Sequence, residues 1–317
     1  SEDSRVKIPS LLYFTRLGYE YLSVKEHKDE IHQDTNIFIE QFQKSISRIN
    51  DTELTREDAE RIIRDIHIKL SGDDLGRAFY GCLLDGINGY KLIDFENIEN
   101  NLFQVVTELT YKKEEDEFRP DIIPLLNGMP LSFVEVKIPN NREGIQAERD
   151  RIHARFRNKN FRAFANLTQI LVFSNNSEYN VDSVVPIEGA FYATPDYESV
   201  KFNCFREEEA GIFSQAGEID SAVEDFILKD TNYSSIRWTE EYLYNRERLS
   251  PTNKIIASLF TKERYLFMLK YAFAYVEDTN GTTGIKTLQK HIMRYPQVFA
   301  TKAIQRTLDS GTKKGVI

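Results

Sequence analysis

The sequence of 317 residues predicts an α/β protein, a mixed sheet flanked by helices with additional helices at both ends. Three observations carry that expectation. Apolar residues recur at helical spacing through the first third, the period falls to two from Leu102, and helical spacing returns after Pro139 before one more short apolar run. The central order is therefore helix, three antiparallel strands, helix, strand.

Leu11, Leu12, Phe14 and Leu17 mark a first helix that stops at Gly18-Tyr19, and Ile37, Phe38, Phe42, Ile46 and Ile49 mark a second. Thr55, with Asp58 three residues on, caps a third helix running to about Leu70. Residues 102–112, 122–126 and 131–137 read as strands, the last two joined around Asn127-Gly128. In the helix that follows, Ile145, Ile152 and Phe156 share one side and arginines occupy others, and 169–173 reads as a strand. Residues 196–250 are less regular, with an acidic run at Glu207, Glu208 and Glu209, and are expected to be peripheral. Helical patterning resumes over 254–276 and 287–308, and Gly315-Val316-Ile317 reads as the start of a strand.

An apolar fraction of 41% and a charged fraction of 29% are those of a globular protein, and no apolar stretch approaches membrane-spanning length. Cys82 and Cys204 lack metal-ligand spacing, so a reducing, cytoplasmic setting is expected. A net charge of -9 argues against indiscriminate binding of nucleic acid. Contact with DNA must be local, and the segment 149–162 supplies six basic residues and His153 against one acid, Asp150. On that helix Arg151 and Arg155, four apart, should project together to track phosphates, and Arg149 is a further DNA-binding candidate. The other reading is a solvated face whose arginines pair with acids elsewhere.

Glu135 and Lys137 are one residue apart on a strand, so both leave the same face, roughly 7 Å apart along the backbone. The hairpin brings Asp121 back alongside Glu135. Two carboxylates can bind a hard cation such as Mg2+, which also contacts a substrate phosphate, and the lysine can orient water or stabilise the charge that develops. Glu-x-Lys by itself is common on solvated strands. Here Val134 and Val136 flank it, Arg119-Pro120-Asp121 precedes it, and a helix with local positive charge follows. Gln146 and Glu148 on that helix are candidates to support the metal or water shell, or equally for the surface.

Convergence depends on register. A two-residue Asn127-Gly128 turn in a regular hairpin pairs Leu126 with Met129 and sets Asp121 across from Val134, turning it to the wrong face. The site therefore predicts an odd-length connection, Asn127 to Met129, or a bulge near Pro124.

Competing chemistries fit poorly. The five histidines, His27, His32, His67, His153 and His291, lack zinc-site spacing, and Gly281-Thr-Thr-Gly284-Ile-Lys286 lacks the spacing of a phosphate loop.

Residues 119–137, Arg-Pro-Asp-Ile-Ile-Pro-Leu-Leu-Asn-Gly-Met-Pro-Leu-Ser-Phe-Val-Glu-Val-Lys, closely resemble the nuclease motif of the R subunit of type I restriction enzymes. Asn127, Gly128, Pro130 and Leu131 match its turn. The resemblance implies a PD-(D/E)xK core in which Asp121, Glu135 and the Val136 backbone carbonyl hold Mg2+ and Asp121, Glu135 and Lys137 are catalytic. It implies a magnesium-dependent type I site-specific deoxyribonuclease acting on double-stranded DNA with methyltransferase and specificity subunits. Many members carry Gln-x-x-x-Tyr after the lysine. The comparable stretch here is Arg151-Ile-His-Ala-Arg155-Phe156, so Gln146, Glu148 or Arg151 takes that role or the helix works differently. Arg294-Tyr-Pro-Gln297-Val-Phe-Ala looks like the lead-in to an ATP-driven translocation motor, with Gln297 matching its adenine-reading glutamine. The resemblance thus implies a nuclease domain over 1–245 and, over 246–317, a helical lead-in to a superfamily 2 motor whose ATP site is incomplete here. The other readings are a non-catalytic assembly module that docks the motor, and a same-fold nuclease of another DNA-processing system.

Overall fold

A computed structural model describes residues 1–138, 142–179, 188–279 and 286–311, without the side chains of 142–145. After a π-helical turn, Asp3–Lys7, the first half carries α1 (Ile8–Arg16), α2 (Ile39–Ile49), α3 (Arg56–Leu70) and α4 (Arg77–Asp85). The Thr55 cap forms as expected. Its hydroxyl accepts from Asp58 N at 3.1 Å while Asp58 Oδ2 accepts from Thr55 N at 3.1 Å.

The strands are β1 (Glu20–Tyr21), β2 (Phe103–Val106), β3 (Tyr111–Lys113), β4 (Asp116–Phe118), β5 (Ile123–Leu126), β6 (Ser132–Val136), β7 (Ile170–Ser174), β8 (Ala190–Ala193) and β9 (Asn203–Cys204). One mixed sheet runs β1-β2-β5 and another β6-β7-β8-β9, with β1–β2 and β6–β7 parallel and the rest antiparallel. Bridges at Ile122–Val134 and Leu126–Met129 join them through the β5–β6 hairpin. Between β6 and β7 lie α5 (Arg142–Arg157) and α6 (Arg162–Leu167).

Core lies on both faces of the sheet, because side chains alternate along each strand. On β6, Val134 and Val136 join the larger core beneath α1, α2 and α3, whereas Phe133 faces the smaller core with Ile152 and Phe156 of α5. Glu135 and Lys137 have the parity of Phe133 and so leave toward α5. Further along come α7 (Ser221–Asp230), α8 (Glu240–Arg246), α9 (Pro251–Phe260), α10 (Lys262–Tyr271) and α11 (Tyr295–Asp309). Helices α9 and α10 pack into the same core as α1, through Phe260, Tyr265 and Leu266.

Three expectations about elements need correction. The strand read over 102–112 is two, β2 and β3, because Glu108 adopts a left-handed φ of +63° that no strand tolerates. Helical patterning over 254–276 and 287–308 gives way at its centre to an antiparallel hairpin of β10 (Phe273–Thr279) and β11 (Lys286–Ile292). Contacts distant in sequence select it, for Tyr80 of α4 packs against Phe273 and Tyr275 with ring centroids 5.4 and 5.8 Å away. The irregular region contains the short helices α7 and α8. Gly281 through Ile285, Gly315-Val316-Ile317 and Pro139 lie outside the described residues.

Candidate active site

Register is decided in the β5–β6 hairpin. Asn127 and Gly128 both have positive φ, +54° and +76°, and form a two-residue turn closed by paired hydrogen bonds between Leu126 and Met129 at 2.9 and 3.0 Å. The expected three-residue connection is absent, and so is a bulge at Pro124, since β5 pairs regularly with β2 there. The extra residue lies on the other strand. Both Leu126 and Leu131 donate to the Met129 carbonyl, Pro130 between them has no N–H, and Ile122 and Val134 exchange hydrogen bonds at 3.1 and 2.8 Å. This bulge at Pro130 moves the pairing on by one residue and sets Asp121 across from Glu135. Tertiary contact fixes the turn, for Phe38 N donates to the Gly128 carbonyl at 2.9 Å and a Cβ on Gly128 would meet Phe42 N at 2.7 Å.

Asp121 Oδ2 accepts from Val136 N at 2.9 Å, which aims its carboxylate at the end of β6. Lys137 Nζ stands 3.2 Å from Glu135 Oε1, 2.8 Å from the Val136 carbonyl oxygen and 3.8 Å from Asp121 Oδ2. Three oxygens thus converge on one cation. Among the described residues Glu135 Oε2 is buried without a hydrogen-bond partner, an arrangement costly for a polar atom unless a ligand supplies the missing contact. Hard oxygen donors with one unsatisfied position fit a hydrated Mg2+. Among the described residues no three His, Cys, Asp or Glu side chains gather as a metal cage. A divalent ion here would rely on two carboxylates, a carbonyl and water.

Burial raises the pKa of Glu135, and the carboxylates of Asp121 and Glu148 push the same way. Burial also raises Asp121, against the pull of Lys137. For Lys137 burial acts to lower the pKa but is outweighed by Glu135, Asp121, Glu2 and Glu148, so the ammonium is held firmly charged. Burial thus penalises the charge on both carboxylates, a penalty that a bound cation would relieve.

Of the supporting candidates, Glu148 comes inward. Its side chain is 4% exposed and bonds to Arg151 Nη1 at 3.1 Å. Gln146 is exposed and donates to Asp150 at 3.1 Å. The expectation that Arg151 and Arg155 project together does not hold. Arg151 is 68% exposed, whereas Arg155 lies 3.4 Å from the ring centre of Phe118, within the field of Glu135 and Glu148. An aromatic face and two nearby carboxylates draw the second guanidinium in. Arg149 lies 5.9 Å from the Phe202 ring centre. Gln297 closes the N-terminus of α11, its Oε1 accepting from Arg294 N at 2.8 Å. Sequence reasoning missed Glu2, whose Oε1 is 3.8 Å from Lys137 Nζ, and no local pattern around the second residue signals it.

Comparison with known proteins bears on this arrangement. The family model described as the type I restriction enzyme R protein N terminus matches residues 1–183, a span that contains β5, β6 and α5. A Methanocaldococcus jannaschii relative, provisionally named the MjaIXP endonuclease subunit of a type I restriction enzyme, is 27% identical across 98% of this chain and 28% of its own length. The HindI endonuclease subunit of a type I restriction enzyme from Haemophilus influenzae is 30% identical over 32% of this chain and 11% of its own length. The chain spans less than a third of either relative.

Proposed function

Because the chain belongs to the family of type I restriction enzyme R protein N termini, we propose that it is the endonuclease module of such an enzyme, hydrolysing phosphodiester bonds of double-stranded DNA on a PD-(D/E)xK core. The observation that supports this most is the bulge at Pro130, which brings Asp121 across from Glu135 with the Val136 carbonyl and Lys137 between them. Asp121, Glu135 and the Val136 carbonyl would hold Mg2+. When bound, the ion polarises the phosphoryl group and makes hydroxide available at neutral pH.

The rest falls to the chain's own residues. Lys137, whose Nζ lies 3.2 Å from Glu135 Oε1, would place its charge where the attacking water and the developing phosphorane charge lie. Glu148, buried and bonded to Arg151, adds its negative charge near Glu135 and so favours a bound cation, while Arg151 on the exposed side of α5 and Arg149 over the Phe202 ring meet backbone phosphates. Arg155 serves that helix from within.

In the full-length subunit this module works with an ATP-driven motor and with methyltransferase and specificity subunits, in the cytoplasm, and Gln297 belongs to the motor's adenine site. We place the functional division at 245/246, although α9 and α10 share a core with α1. Among the described residues no helix is long and apolar enough to cross a membrane.

The test is reconstitution of the complete enzyme with Asp121→Ala, Glu135→Ala or Lys137→Ala. Each should abolish magnesium-dependent cleavage and leave ATP-driven translocation running. Cutting at the wild-type rate by any one of them would overturn the assignment, and loss of translocation would mean that the change had unfolded the protein.

A further inference from the structure

Two residues ahead of Asp121, Arg119 is 60% exposed yet held in place, its Nη1 lying 2.7 Å from Glu108 Oε2. The other oxygen of Glu108 accepts from Lys7 Nζ at 2.7 Å, and that lysine is only 10% exposed. Glu108 has φ +63°, a left-handed conformation that a side chain with a Cβ adopts reluctantly and that persists where its surroundings impose it. The neighbouring Thr107 imposes part of it. Its hydroxyl donates to the Asp121 carbonyl at 2.7 Å, so the turn that presents Glu108 also grips the segment carrying Asp121. An ordinary surface ion pair would need neither a strained residue nor a buried lysine.

Each oxygen of Glu108 is thus engaged by a different cation, and the trio carries a net single positive charge beside two carboxylates. Arg119 keeps most of its guanidinium donors open to solvent, in the planar fork that suits a phosphodiester oxygen pair. We propose that Arg119, held in position by Glu108, grips a DNA backbone phosphate flanking the one that is cut. The inference rests on the nuclease reading and extends it. Arg119 touches the substrate; Glu108 is a positioning residue; Lys7, itself buried, keeps Glu108 charged and oriented. Arg119 and Arg151, each tethered to a carboxylate, then both meet the duplex.

The experiment measures binding of a fluorescently labelled duplex to the chain by anisotropy, without divalent ions so that no cutting intervenes, across a range of salt. Arg119→Ala should weaken affinity about tenfold and make the log–log salt dependence shallower by about one, with an unchanged melting temperature. Arg119→Lys should recover part of the affinity. Glu108→Gln is the decisive variant, because it removes a negative charge: general electrostatics would tighten binding, whereas loss of the tether weakens it. Tighter or equal binding by Glu108→Gln in a chain that melts as wild type, or wild-type affinity and salt slope in Arg119→Ala, would overturn the proposal. If Glu108→Gln melts lower, Arg119→Ala and Arg119→Lys decide. Binding that follows these expectations in a protein whose assembled enzyme never cuts would sink the nuclease reading alone and leave the DNA contact standing.

Discussion

Replacing Asn127 tests whether the hairpin turn sets the site. Asn127 is fully buried, and its side chain makes three hydrogen bonds: Oδ1 accepts from Leu102 N at 2.7 Å, and Nδ2 donates to Leu92 O at 3.0 Å and Asn101 Oδ1 at 2.9 Å. It does so at φ +54°, where alanine is disfavoured. Asn127→Ala leaves Leu102 N and Leu92 O in the core without replacements, at about 1–2 kcal/mol each, while Asn101 Oδ1 keeps its bond from Asp94 N, and it adds about 1 kcal/mol of left-handed strain. The sum is about 3–5 kcal/mol, a large fraction of the stability of a typical domain. Asn127→Gly loses the bonds but avoids the strain, so it should be about 1 kcal/mol more stable than the alanine variant. Urea denaturation followed by circular dichroism measures both. A loss below about 2 kcal/mol for Asn127→Ala would show that the turn is held by its backbone and by α2, and that the side-chain reasoning is mistaken.

Other outcomes follow from the same geometry. Glu135→Gln should stabilise the protein while abolishing cutting: burial, with Asp121 and Glu148 adding to it, raises the folded carboxyl above its unfolded value, so ionised Glu135 costs stability increasingly as pH rises. Melts should therefore show the variant's advantage growing from pH 5 to pH 8, and a constant difference would refute the cause. Lys290 of β11 is fully buried with Gln169 Oε1 at 2.9 Å, and burial lowers its pKa to about 7. Since protonation then opposes folding, Lys290→Met should raise the melting temperature, most at pH 6 and hardly at pH 10; no gain at pH 6 would mean that the nearby rings of Phe273 and Tyr275 compensate the charge. Glu148→Ala should reduce cleavage at least tenfold in the assembled enzyme and Gln146→Ala less than twofold, and equal effects would contradict their different burial.

Local chemistry alone determined much of this protein. The Thr55–Asp58 capping box, the apolar stripes of α1 and α2, and the common face of Glu135 and Lys137 follow from spacings of three, four and two, which act within one element and need no partner. A turn at Asn127-Gly128 was legible for the same reason, although its length was not. Tertiary structure decided what depends on distant neighbours. Pro130 rather than Pro124 carries the bulge, because Phe38 at the N-cap of α2 and Phe42 within it clamp Gly128 and fix the turn at two residues. Phe118 captures Arg155 while Arg151 stays outside, Glu2 and Glu148 reach Lys137 and Glu135 from other elements, and Tyr80 selects a hairpin where 273–276 and 287–292 read as helix. A one-residue slip reverses every side chain of a strand, so the face on which Asp121 lies was settled by packing against α2, a contact that no periodicity within residues 119–137 encodes.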